Sequence, residues 1–290
     1  MNNQPKTSFS YEFFPPRSVQ MQRRLWRAIG QLERLRPSFF SMTYGALGSA
    51  QNVSIDTAIA MYRDSPVEVA AHLTCCNASR QQVDAVAWQF HDAGIRRFVA
   101  LRGDDNGQEV GSPSGYSSVV DLIGTLRDFG DTDISVAAYP ETHPRASSAL
   151  ADLQQLKRKL DAGAQRAITQ YFFDAEYFLR FRDQARSRGI DKPIIPGILP
   201  VHDLDKIRVF SERCGATVPD YYHALFARVK NQPEAQYRLA LELAVELCER
   251  LTREGVNSFH FYTLNQTDMC LDISLALGAS LQGPQLTSAA

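Results

Sequence analysis

Short apolar or alternating runs recur along the chain near residues 8–14 (SFSYEFF), 38–44 (SFFSMTY), 67–75 (VEVAAHLTC) and 96–102 (RRFVALR). Four more follow near 133–139 (DISVAAY), 166–173 (RAITQYFF), 193–199 (PIIPGIL) and 258–264 (SFHFYTL). Each has the length and the aromatic or β-branched content of a strand. The segments between them carry apolar residues three and four apart, such as Met21, Leu25, Ile29, Leu32 and Leu35, or Leu239, Leu243, Leu247 and Leu251, which is the spacing of one helical face. The order is strand then helix throughout. Eight such units at intervals of about 30 residues predict an α/β protein built as a closed (β/α)8 TIM barrel, in preference to an open doubly wound sheet. The interval before the last strand is about twice as long, which predicts a helical excursion near 202–256 containing FSERCGATVPDYYHALF. No linker, low-complexity tract or shift in composition divides the chain, so residues 1–290 are expected to form a single domain.

Composition narrows the partners. A formal net charge of -1 at pH 7 over 290 residues offers no basic surface for nucleic acid or an anionic membrane. The cysteines Cys75, Cys76, Cys214, Cys248 and Cys270 are odd in number and form no CxxC pair, as expected of reduced thiols in a cytoplasm. No stretch approaches the roughly 18 apolar residues of a membrane span, and the N-terminus carries no secretory pattern.

In a barrel of this kind the chemistry lies at the C-terminal ends of the strands. There the sequence sets Glu12, Thr43 and Tyr44, His72 and Thr74, Arg102 and Asp104, Tyr139, Gln170, and Tyr262 with Asn265. The six histidines are never paired one residue apart on a strand, so no catalytic metal is expected. No strand carries a lysine for a Schiff base, and there is neither a GxGxxG turn nor a GxxxxGK[ST] loop. A bound nucleotide would therefore have to lie on the barrel itself. The segment RASSALADLQQLKRKLDAG (145–163) sets Asp152, Gln155, Arg158 and Lys159 at helical spacings of three and four. By spacing it is either a solvated helix with ordinary ion pairs or a clamp in which Asp accepts from ribose hydroxyls while Arg and Lys neutralise a pyrophosphate. Its place after the fifth strand, beside Tyr139 and His143, favours the clamp.

The ordered motifs SYEFFPPR, SMTYGA, AHLTC, VALRGD, SVAAYPETHP, LKRKLDAGAQRAITQYFFD, PIIPGILPV and FHFYTLN, spanning about residues 8–270, resemble those of the methylenetetrahydrofolate reductases of the bacterial single-domain type. The resemblance implies an FAD-containing barrel that takes a hydride from a reduced nicotinamide and passes it to 5,10-methylenetetrahydrofolate. NADH is expected over NADPH, the cycle is expected to be ping-pong, and the chain is expected to form a homo-oligomer without a C-terminal regulatory domain. Two readings compete with it: a non-catalytic flavin- or folate-binding barrel, and a flavin dehydrogenase acting on another amine such as proline.

The resemblance also assigns residues. Glu12, set between aromatic residues at a partly desolvated barrel mouth where its charged form would be disfavoured, is the expected general acid for folate N10. Asp104 is expected to hydrogen-bond the pterin and to tune the flavin. Gln170 and Phe210 are expected to meet pterin and nicotinamide in turn. Thr43, Tyr44, Ala46, His72, Arg102, Gly103, Asp104, Tyr139, His143, Ala146, Asp152, Gln155, Arg158 and Lys159 match positions around FAD. Gln266 stands where the family pattern has Arg, which weakens the expected charge-assisted contact to folate. The loop DNGQEVGSPSG after LRGD lacks the family's proline-containing form, so the adenine end of FAD is expected to be held differently.

Overall fold

The structure is a computed structural model and describes residues 7–45, 51–103 and 115–282. The eight runs form the parallel strands β1 (Ser8–Phe13), β2 (Phe39–Met42), β3 (Val69–Thr74), β4 (Arg97–Leu101), β5 (Asp133–Ala138), β6 (Arg166–Tyr171), β7 (Ile194–Ile198) and β8 (Ser258–Tyr262). They pair in chain order, and β1 closes against β8 to complete the predicted (β/α)8 barrel. The outer layer contains α1 (Val19–Leu32), α2 (Gln51–Asp64), α3 (Arg80–Asp92), α4 (Val119–Arg127), α5 (Ala149–Asp161) and α6 (Ala175–Ser187). Three helices, α7 (Leu204–Cys214), α8 (Asp220–Arg228) and α9 (Pro233–Arg253), separate β7 from β8, and α10 (Asp268–Ala276) follows β8. No helix among the described residues is long and apolar enough to cross a membrane.

The two-residue period of a strand sorts the side chains into two cores. From β1, Phe9, Tyr11 and Phe13 point outward into the buried layer shared with the helices, where the Tyr11 hydroxyl meets Ser274 Oγ of α10 at 2.7 Å. Ser8, Ser10 and Glu12 therefore face the barrel interior. Phe39, Ala70, Val99 and Ile168 form the apolar layer inside the barrel. Below them the N-terminal end is closed by charge. Asp133 accepts from Arg97 at 3.0 Å and from Arg166 at 2.5 Å, and the Arg97 guanidinium lies 5.6 Å from the centre of the Phe39 ring. The barrel is thus filled at its middle and plugged at its floor, which leaves the C-terminal end for ligands.

The loops at that end are fixed by local hydrogen bonds. Ser148 caps α5 by accepting from the Ala151 N–H, and Asp203 caps α7 by accepting from the Lys206 N–H. After β8, Leu264 and Asn265 both adopt positive φ. Asn265 then accepts from the Phe14 N–H at 3.1 Å and donates to the Phe14 carbonyl at 2.9 Å, fastening the end of β8 to the end of β1. β6 carries one extra residue between Ile168 and Tyr171 opposite β7, whose Pro196 has no N–H for the ladder. The bulge bends β6 where Gln170 leaves it. Gly197 makes room for this arrangement, since a Cβ there would stand 2.2 Å from the Thr169 carbonyl oxygen and 2.5 Å from Tyr262 Cε2.

Candidate active site

The Glu12 carboxylate stands at the inner rim of the barrel mouth, its side chain 20 % exposed. Its sequence neighbours Tyr11 and Phe13 lie on the opposite face of β1 and give it no aromatic cage, which corrects the expectation drawn from SYEFFPPR. Strand alternation is the reason: residues next to each other in a strand never share a face. The carboxylate instead faces two imidazoles. Oε2 lies 3.4 Å from His72 Nε2 and 3.9 Å from His260 Nε2. The Glu12 carbonyl accepts from the Thr263 hydroxyl at 2.6 Å, which holds the strand end in place. Tyr262, paired with Glu12 across the β1–β8 seam, donates its hydroxyl to the Thr169 carbonyl at 2.7 Å. Burial first, and then the negative charge of Glu12, hold that phenol well above its ordinary pKa.

Beside Glu12 the protein leaves polar atoms unsatisfied. Ser41 Oγ, Thr43 Oγ1 and His72 Nε2 are buried without a hydrogen-bond partner. All three belong to inward positions of β2 and β3 or their C-terminal ends. An unpaired buried polar group costs about 1–3 kcal/mol, so three together describe a surface shaped for a polar ligand. Burial lowers the His72 pKa against the upward pull of Glu12, while His260 lowers it further. The neutral imidazole is thus the form His72 adopts.

A second group gathers around the loop after β5. The Asp152 carboxylate on α5 accepts from the His143 N–H at 2.8 Å, and His143 Nδ1 accepts from the Arg145 N–H at 3.0 Å. Tyr139 meets the His143 ring edge-on with centroids 4.4 Å apart, and the Ala146 N–H donates to the His143 carbonyl. Lys159 reaches under the strand to donate to the Ala137 carbonyl, and burial pushes its pKa down to about 8 against the pull of Asp152. Burial also lowers the His143 pKa; Asp152 opposes this, and the cations of Arg145, Lys159 and Arg102 add to it. Three cations around one loop form a region of positive potential that suits a diphosphate. Asp152, Gln155 and Lys159 share one stripe of α5. Arg158, six residues beyond Asp152, falls about 120° away at 3.6 residues per turn and is exposed.

The remaining expected residues lie around this rim. Tyr44 is half-buried against the core, and desolvation raises its pKa. Gly103 takes φ +91 with the place of a Cβ only 2.7 Å from Cys76 Sγ, so the backbone after β4 runs where no other residue fits. Arg102 is exposed beside it. Gln170 turns its Oε1 back to accept from the Tyr171 N–H at 3.0 Å. Phe210 of α7 is partly exposed and stacks on Tyr171 with centroids 6.1 Å apart. Gln266 is exposed in the loop after β8, its N–H donating to the Thr263 carbonyl. Ala46, Asp104 and the loop following Asp104 lie outside the described residues. The sequence reading missed Ser10, Ser41, Arg145 and His260. Of these, Ser10, Ser41 and His260 had a readable signal, since each sits two residues below a polar strand end (Glu12, Thr43 and Tyr262) on the same face.

The comparisons agree with this geometry. The family model described as methylenetetrahydrofolate reductase matches residues 1–278. The chain belongs to that family. It is 44% identical over 275 residues to a 5,10-methylenetetrahydrofolate reductase of Pectobacterium carotovorum, covering 95% of this chain and 91% of the relative. It is likewise 44% identical over 276 residues to the 5,10-methylenetetrahydrofolate reductase of Escherichia coli K12, covering 95% and 92%. Among solved structures, an uncharacterised protein from Clostridium thermocellum described as binding two copies of 5-methyl-5,6,7,8-tetrahydrofolic acid superposes with a TM-score of 0.63. At 14% identity, over 94% of this chain and 95% of that one, this likeness speaks for the fold.

Proposed function

We propose that this reductase converts 5,10-methylenetetrahydrofolate to 5-methyltetrahydrofolate at the barrel mouth, with FAD as its cofactor and NADH as the reductant. The observation that carries the reading is the Glu12 carboxyl at the rim, faced by two imidazoles and bordered by the unpaired Ser41, Thr43 and His72 atoms. Those unpaired atoms fit the polar edge of a flavin ring, and the cations around the β5 loop fit its diphosphate. Thr43, Tyr44, His72, Arg102, Gly103, Tyr139, His143, Ala146, Asp152, Gln155, Arg158 and Lys159 would hold the cofactor. Bound FAD would supply the two-electron carrier between the nicotinamide and the folate.

Glu12 supplies the acid step. The methylene carbon of the folate is locked between N5 and N10 and becomes a hydride acceptor only when N10 is protonated and the ring opens to an N5 iminium ion. The Glu12 carboxyl delivers that proton and is left as a carboxylate beside the cation it has created, which it also stabilises. Gln170, placed by the β6 bulge, and Phe210, exposed on α7, would bracket the substrate. One mouth serves both substrates in turn, so the oxidised nicotinamide leaves before folate enters. The test is an absorption spectrum of the purified protein: flavin bands should bleach with NADH and return on adding methylenetetrahydrofolate. Protein without flavin bands and without tight FAD binding would exclude the reading.

A further inference from the structure

We propose that Glu141 is a positioning residue that joins the cofactor side of the barrel mouth to the substrate side: its carboxylate ties the loop after β5 to the end of α7, the helix that presents Phe210. The inference rests on the proposed roles of that loop and of Phe210, and concerns the bond that sets one against the other.

Glu141 lies between Tyr139 and His143 in the loop after β5 and is half-buried. Both of its carboxylate oxygens accept from the backbone N–H of Thr217, at 3.0 and 3.1 Å. Thr217 belongs to the short connection between α7 and α8. Two residues on, the His143 N–H donates instead to Asp152 of α5. Thr142, between them, is held at φ +74, an uncommon backbone for a β-branched side chain. Such a conformation persists only where its surroundings over-determine it, and here the loop is fastened on one side to α5 and on the other to the connection after α7. Burial raises the Glu141 pKa, the bonds from Thr217 oppose this, and Asp174 adds to it. A carboxylate is therefore a costly group at this place, and what it contributes is a charge-assisted bond between two segments distant in sequence.

The end of α7 meets the barrel at two further points. The Tyr171 hydroxyl lies 3.0 Å from Ser211 Oγ, and the Tyr171 ring stacks on Phe210 with planes 14° apart. The helix then ends on Gly215 at φ +71, packed so closely on the β5 loop that a Cβ there would stand 2.7 Å from Pro144 Cγ. Tyr139, Glu141, Gln170, Tyr171 and Gly215 line one narrow cleft between that loop and α7. The Tyr171–Ser211 bond by itself is a pivot about which α7 can roll, carrying the Phe210 ring with it. The Glu141–Thr217 bond, beyond the end of the helix, fixes the far side of that pivot. A helix moves as a rigid element, so a ligand that orders the β5 loop also sets the angle at which Phe210 meets the substrate.

Two measurements on the full-length protein decide it. The first is amide hydrogen exchange. Without FAD, residues 204–219 should exchange about tenfold faster in E141A than in wild type, the low end of what a charge-assisted hydrogen bond is worth. E141Q, which keeps one neutral acceptor oxygen, should lie between the two. Adding FAD should slow exchange in both 139–146 and 204–219 of wild type, but in 139–146 alone of E141A. The second is rapid mixing of the holoenzyme with NADH and, separately, with methylenetetrahydrofolate. In E141A the half-saturating concentration of each should rise about tenfold while the limiting rates stay within about threefold. In an F210A background, adding E141A should change those concentrations by less than about twofold, because Glu141 acts through Phe210. Unchanged exchange of 204–219 in both variants, slowing of that segment by FAD in E141A as in wild type, or an E141A effect that adds in full to F210A would overturn the proposal. Wild-type protein that binds no FAD would overturn the proposed function instead, and the ligand-free exchange would still decide whether Glu141 holds α7.

Discussion

Replacing Lys159 with methionine should separate the cost of building the cofactor clamp from its use. The ammonium is taken out of water under β5, donates to the Ala137 carbonyl and has its pKa pushed down to about 8 from an ordinary 10.5. That difference corresponds to about 3 kcal/mol charged against folding of the ligand-free protein. Below pH 8 the lysine is protonated in the folded and unfolded chains alike, and the whole cost is present. Between pH 8 and 10.5 the folded chain loses the proton first, so stability rises with pH; above 10.5 the cost is gone. Urea unfolding of flavin-free protein from pH 7.5 to 10.5 should therefore show wild type gaining about 3 kcal/mol relative to K159M over that interval. Placing a diphosphate beside Lys159 favours the charged form again, so FAD binding near pH 9 should take up a proton. Calorimetry in two buffers of different ionisation heat reads that uptake, which K159M should lack, and K159M should bind FAD at least about tenfold more weakly for want of a charge-assisted hydrogen bond. Parallel pH profiles of stability for the two proteins would refute the reasoning.

Other substitutions test the scaffold. G197A forces a methyl group against the Thr169 carbonyl and the Tyr262 ring; it should cost about 3 kcal/mol in denaturant unfolding, an overpacking penalty that a relaxed neighbour would reduce toward zero. N265A removes both bonds to Phe14 and leaves alanine at φ +56; about 3 kcal/mol of lost stability is expected from two hydrogen bonds and the left-handed backbone. His72 is buried in its neutral form, so its contribution to stability is complete above about pH 6.5 and is lost as pH falls through that value toward its lowered folded pKa. H72Q should flatten the loss of stability between pH 6.5 and 5, measured against wild type, and an unchanged slope would remove His72 from the acid response.

The strands were legible because each alternates or runs apolar over a few residues, and the closed barrel followed from their rhythm. The surroundings of Glu12 were less legible for a specific reason. The residues that flank it in the chain are the ones strand geometry turns away, whereas its partners His72 and His260 arrive from strands distant in sequence. His260 hides inside SFHFYTL, where an inward histidine reads as one more buried ring until closure of β1 on β8 sets it beside Ser10 and below Glu12. On α5 the spacing of Asp152, Gln155 and Lys159 was readable from sequence, but the burial of Lys159 and its bond to the Ala137 carbonyl depend on how the helix packs under β5. The β6 bulge at Gln170 follows from Pro196 on the adjacent strand, a pairing that sequence alone does not announce.

Glu12→Gln is the substitution that tests the central claim most directly. Glutamine keeps the size and the hydrogen-bonding reach of Glu12 but has no proton to give. Rapid mixing of the oxidised enzyme with NADH should show reduction within about tenfold of wild type, whereas reoxidation of the reduced enzyme by methylenetetrahydrofolate should slow by at least about 10²-fold, the usual loss on removing a general acid. Equal slowing of both half-reactions, or folate reduction at the wild-type rate, would contradict the assignment of Glu12 as the acid.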